Sequence, residues 1–122
     1  DKAMSLGIVD SAVGVLDDLH AREAEISTGL QDGFAIPHAK SSHVLNPSVL
    51  FVRTLTPVSW GTLDDSEVSC VFALLVPDKN EDNAHLKMLS RLAVNLMDDD
   101  FKKQITELGS AEEIASLIQA VL

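Results

Sequence analysis

Apolar residues recur along the chain in two rhythms, and the changes between them divide it into elements. From Asp10 or Ser11, either of which can cap a helix, Ala12, Val15, Leu16, Leu19 and Ile26 return at helical spacing and predict a helix to about Ile26. Gly29 and the Asp32-Gly33 pair then mark turns, and residues 34–36 form a short apolar run that Pro37 stops. Beyond a polar loop at 41–47, residues 48–55 are rich in Val, Leu and Phe and predict a strand. Residues 57–65 form a connection that carries the only tryptophan, Trp60. Residues 68–76 are nearly all apolar, as expected of a central strand covered on both faces, and Pro77 ends it. After a charged loop at 78–83 the helical rhythm returns in three segments, 84–97, 101–108 and 111–121, with Gly109-Ser110 between the last two. Strands mixed with helices in this way predict a single α/β domain.

Composition narrows the partners. A formal net charge of −10 argues against nucleic acid, because a phosphate backbone needs a basic surface, and fits a cationic protein partner. No apolar run reaches the length of a membrane span, and no signal-peptide pattern is present. The one cysteine, Cys70, lies inside an apolar run, which fits a reducing compartment and a structural role.

The candidate chemistry begins at Gly33-Phe34-Ala35-Ile36-Pro37-His38-Ala39-Lys40. Pro37 fixes its own φ and holds Ile36 extended, so His38 is expected where a strand ends and a stiff turn begins. Taken alone, this histidine is either an exposed ring in a turn or a nucleophile held in one orientation. Two other polar residues fall on apolar stripes. Arg22 follows Val15 and Leu19 and precedes Ile26 at helical spacing, which predicts a guanidinium on or beside a buried face. Such a group needs an anion, either an acidic side chain or a ligand. His85 precedes Leu89, Leu92 and Leu96 on the inward stripe of its helix, and with Asp82 as the cap it falls in the first turn, where unpaired N–H groups favour an anion. It is either a satisfied core histidine or a ligand-facing one. Two imidazoles and a planar guanidinium could converge on one phosphate-sized anion. A metal site is not indicated, since the spacing of His38, His43 and His85 matches no standard zinc pattern. His20 is expected on the exposed face of its helix.

In their order, these residues resemble the EIIA domain of the fructose/mannitol type, a component of the bacterial phosphoenolpyruvate-dependent sugar phosphotransferase system. The likeness runs through Arg22-Glu23, Ser27-Thr28-Gly29, the 33–40 segment, the strand ending at Pro77 and His85-Leu86-Lys87-Met88-Leu89, and covers about residues 8–122. It implies a mixed, mostly parallel sheet flanked by helices on both faces. It implies that His38 is phosphorylated through Nε2 by the carrier phospho-HPr and passes the group to a cognate EIIB. It further implies that His85 hydrogen-bonds nearby, that Arg22 contacts phosphate, and that Thr28 offers a supporting hydroxyl. No cofactor is implied, the location is cytoplasmic, and the membrane is met only through an EIIB or EIIC component. The fructose-like branch fits the wording around His85, and a regulatory module of the nitrogen-related branch is the alternative. Residues 1–122 are expected to form one such domain. Its N-terminal strand and part of its first helix are expected to be missing, leaving a remnant near residues 2–6.

Overall fold

The computed structural model describes residues 1–78 and 84–122, with backbone alone at 84 and 85. The expected cap Asp82 and most of the loop before it lie outside the described residues. The chain forms two compact units, Asp1–Asp82 and Asn83–Leu122. The first contains α1 (Lys2–Ser5), α2 (Ala12–Glu25), β1 (Phe34–Ala35), β2 (His38–Ser41), β3 (Ser48–Val58) and β4 (Val68–Pro77). The second contains α3 (Ala84–Asn95), α4 (Asp99–Glu107) and α5 (Ala111–Val121). The class is α/β, as the pattern predicts.

β4 is the centre of a mixed sheet, with β1 and β2 parallel to it and β3 antiparallel. Leu74 faces both His38 and Val49, and Cys70 faces both Phe34 and Arg53, so β1 and β2 share the side of β4 opposite β3. The two short strands also share one register. Phe34 pairs with Cys70 and His38 with Leu74, an offset of 36 residues in each case. They are one strand interrupted at Ile36 and Pro37.

This corrects the expectation that His38 begins a turn, because it is the first residue of the resumed strand. Pro37 has no N–H to give the ladder, but its carbonyl still accepts from Leu74 N at 2.9 Å, and its fixed φ is compatible with extended backbone. β3 also runs past its predicted end to Val58, with a register irregularity between Arg53 and Val58 around Pro57, a residue that cannot donate to a ladder.

The interior of this unit follows from the alternation. Phe34, Cys70, Phe72, Leu74 and Val76 are buried, and the Phe72 ring packs against Phe34 and Phe51 at centroid distances of 6.4 and 4.9 Å. A second cluster joins Ala3, Val9, Val15, Val44 and Leu75. Beside it is a cavity of about 360 Å³ whose lining includes Val13, Leu16, Leu19 and Leu50.

α2 begins as predicted, with the Ser11 hydroxyl accepting from Gly14 N at 3.0 Å. Asp10 instead accepts from His43 Nδ1 at 2.9 Å. Only Val15 of the predicted stripe is buried; Leu16 and Ile26 are 53% and 73% exposed. Helical projection does not apply to Ile26, because the helix stops at Glu25 and Ile26 is extended, at φ −150° and ψ 135°.

In the second unit, α4 starts two residues earlier than predicted, since the Asp98 carboxylate caps it by accepting from Asp100 N and Phe101 N. α5 matches its predicted span, capped by the Ser110 hydroxyl accepting from Glu113 N. Leu92, Leu96, Phe101, Ile105 and Ile118 are buried. Among the described residues no helix is long and apolar enough to cross a membrane.

Candidate functional site

The backbone that carries His38 is held from outside the sheet by a short hairpin. Leu30 N donates to Phe34 O at 2.8 Å and Ile36 N donates to Thr28 O at 3.0 Å, with Gly29 opposite Ala35. The reversal between them uses Asp32 and Gly33, both at positive φ (59° and 85°). Asp64 and Ser66 fasten this turn: Asp32 N donates to Asp64 Oδ2 at 3.1 Å and Gly33 N to Ser66 Oγ at 3.2 Å. Hydrogen bonds from the Ser66 side chain, from backbone N–H groups and from Thr62 hold the Asp64 carboxyl well below its usual range. Gly29 lies so close to the β3–β4 connection that a Cβ there would meet Thr62 Cγ2 and Trp60 Cδ1 at 2.9 Å.

The hairpin ladder ends at the bond between Ile36 N and Thr28 O, because Thr28 N donates to the Glu23 carboxylate and not back to Ile36. The Ile36 carbonyl is therefore left to the side chain two residues on, and His38 Nδ1 lies 2.8 Å from it. A carbonyl can only accept, so Nδ1 carries the proton and the ring's lone pair is on Nε2. His38 is half-buried. A neutral imidazole held in this way has its tautomer and ring plane set by the main chain, an arrangement that can support attack through Nε2.

Thr28, whose carbonyl takes Ile36 N, is itself held by a carboxylate clasp. Glu23 Oε1 accepts from Thr28 N at 2.7 Å and from Trp60 Nε1 at 2.8 Å, while Oε2 accepts from the Thr28 hydroxyl at 2.5 Å. Burial pushes the Glu23 carboxyl up, but bonds from the Thr28 side chain and backbone, Trp60 and Ser27 outweigh it and leave the group below its usual value. Sequence patterning gave Glu23 no role of its own. A signal was available: a carboxylate in the last turn of a helix opposes the helix dipole and so needs other partners.

The residues singled out from the sequence fall as follows. Thr28 is buried and its hydroxyl donates to Glu23. It is joined to His38 through Ile36. Arg22 is half-buried, and its Nη1 donates to the Ile26 carbonyl at 2.9 Å, closing the end of α2. Its described partner is thus a main-chain carbonyl. His85 is the second residue of α3, in its first turn, and its side chain lies outside the described residues. His20 is exposed and Cys70 is buried within β4.

The site is thus a half-buried imidazole positioned by one main-chain carbonyl on an extended segment of a mixed sheet, within a small α/β domain. Over residues 1–121 the sequence matches the model of the phosphoenolpyruvate-dependent sugar phosphotransferase system, EIIA 2, and the chain belongs to that family. It is 34% identical over 122 residues to the fructose-specific EIIA component of the phosphotransferase system of Haloferax volcanii, covering all of this chain and 79% of that one. It is 39% identical over 102 residues to multiphosphoryl transfer protein 2 of Escherichia coli, covering 84% of this chain but only 12% of that much longer protein. The crystal structure of the nitrogen regulatory protein IIA-Ntr from Neisseria meningitidis superposes with a TM-score of 0.82 at 37% identity, covering 88% of this chain and 73% of that one.

Proposed function

We propose that the chain is a phosphoryl carrier for sugar uptake and that His38 is its acceptor. Phospho-HPr presents its phosphohistidine, His38 Nε2 attacks phosphorus in line, and a new P–N bond forms as the donor's P–N bond breaks. The donor nitrogen leaves with the bonding pair. The group then passes to the nucleophile of a cognate EIIB that serves a fructose-class sugar: the bond to that nucleophile forms as the His38 P–N bond breaks, and Nε2 regains its lone pair. Positioning and charge neutralisation supply most of the catalysis for such a transfer. The bond between His38 Nδ1 and the Ile36 carbonyl carries this reading, because it puts the lone pair on Nε2. Residues 1–122 act as one EIIA domain in the cytoplasm, and no cofactor takes part.

Arg22 supplies donors to the phosphoryl oxygens, and the family resemblance alone extends the proposal to His85 as a second histidine that does not itself carry the phosphate. Arg22→Lys is expected to slow transfer on the order of tenfold, since a point charge cannot replace a planar fork. An unchanged single-turnover rate would remove Arg22 from the site. The direct test is phosphorus NMR after incubation with phosphoenolpyruvate, enzyme I and HPr. An Nε2-phosphohistidine signal at His38 is expected, and an Nδ1 signal would sink the assignment.

The likeness to IIA-Ntr is compatible with a second reading, in which phosphorylation of the same histidine controls binding to protein targets. A purified fructose-type EIIB separates the two. Phosphoryl transfer to it supports the sugar-uptake reading, and phosphorylation of the chain without onward transfer supports the regulatory one.

A further inference from the structure

We propose that Glu23 is a positioning residue for His38, fixing which ring nitrogen holds the proton through Thr28 and Ile36. The observations form one connected path. Glu23 grips Thr28 at both its N–H and its hydroxyl, the Thr28 carbonyl takes the Ile36 N–H, and the Ile36 carbonyl takes His38 Nδ1. Glu23 also holds Trp60, whose ring edge lies against Gly29 in the same hairpin. One carboxylate therefore ties the end of α2, the outer strand of the hairpin and the β3–β4 connection to a single point.

The influence is mechanical. Thr28 presents its N–H and its carbonyl from two different peptide groups, so no single conjugated unit links Glu23 to the imidazole. What Glu23 fixes is the place of Thr28, and through it the place and tilt of the Ile36 carbonyl. Release of that carbonyl would free the ring to take the Nε2–H tautomer, which solvated histidine favours and which removes the lone pair from the attacking position. Glu23 is half-buried, and its carboxylate accepts from Thr28 N, the Thr28 hydroxyl and Trp60 Nε1 together, so the loss of one partner leaves the others holding it.

The proposal rests on the reading of His38 as phosphoryl acceptor for its kinetic arm alone; its spectroscopic arm is independent. The first measurement is nitrogen-15 NMR of the His38 ring in the unphosphorylated protein at neutral pH, using two-bond couplings to assign the tautomer. Wild type is expected to be predominantly Nδ1–H. Glu23→Ala is expected to shift His38 toward Nε2–H, while Glu23→Gln is expected to restore the wild-type pattern, because an amide oxygen can accept from Thr28 N and Trp60 and its NH2 can donate to the Thr28 hydroxyl. The second measurement is the rate of His38 phosphorylation, expected to fall on the order of tenfold in Glu23→Ala and to recover in Glu23→Gln. If Glu23→Ala does not fold, Glu23→Asp takes its place, since the shorter side chain cannot reach both Thr28 groups at once.

A folded Ala or Asp variant that keeps the wild-type tautomer overturns the proposal, even if its melting temperature falls. A tautomer shift in a chain that never accepts phosphate would overturn the functional reading and leave the positioning role intact.

Discussion

His38→Ala is expected to abolish phosphorylation of the chain by phosphoenolpyruvate, enzyme I and HPr while leaving the fold in place. The substitution removes one hydrogen bond, to the Ile36 carbonyl, from a half-buried position, at a cost of about 1 kcal/mol. That is small against the stability of a domain of this size. The loss of labelling is expected to be complete because no other described side chain reproduces the arrangement. His43 also has its Nδ1 on an acceptor, the Asp10 carboxylate, but its Nε2 edge lies against Gly14 of α2, where a Cβ would meet it at 2.5 Å; His20 is exposed on α2, and Cys70 is 1% exposed within β4. In-line transfer within a docked complex leaves little room for a substitute nucleophile displaced by several ångströms. Acid-labile label on the mutant at the wild-type level would end the assignment, and circular dichroism on the same sample would show that the fold is intact.

The largest effect on stability is expected from Phe72→Ala. Phe72 is fully buried at the middle of the central strand, against Phe34 of β1 and Phe51 of β3. Truncation removes the transfer free energy of the ring and leaves a cavity between two aromatic neighbours, costing about 3–5 kcal/mol. For a domain of this length the melting temperature is expected to fall by roughly 10–20 °C. Phe34 loses its stacked partner only four residues before His38, so the fraction of molecules competent for phosphorylation is expected to fall at temperatures where wild type is still folded. Thermal denaturation checks the first effect, and a drop of less than a few degrees would mean that the rings repack around the gap.

Much of this arrangement is legible in the chain because it depends on local signals. The unbroken apolar run at 68–76 identifies the central strand, and Ser110 with the apolar spacing after it delimits α5 closely. The order of Arg22, Thr28 and His38 is visible in the same way, since the motif is short and marked by Pro37. What escapes is tertiary. The strand resumes at His38 only because Leu74, across the sheet, takes the Pro37 carbonyl, and a local rule sees the proline as a stop. The Glu23 clasp joins residues five and 37 positions away, which no periodicity reports. Leu16 was expected inside, yet it lines an open cavity, because an amphipathic pattern does not say whether its apolar stripe is fully covered.

The interruption at Ile36 and Pro37 costs the segment a donor at Pro37 but keeps its register on β4, and this makes the stretch from Phe34 to His38 intolerant of any change in length. Surface connections absorb added or deleted residues cheaply, since loop-closure entropy grows slowly. Between these two strand halves, one residue more or fewer would carry the imidazole to the opposite face of the sheet and separate it from the carbonyl that holds it. The aim of the histidine is therefore stored as a count of residues, and drift by substitution is open to this segment where drift by insertion is closed.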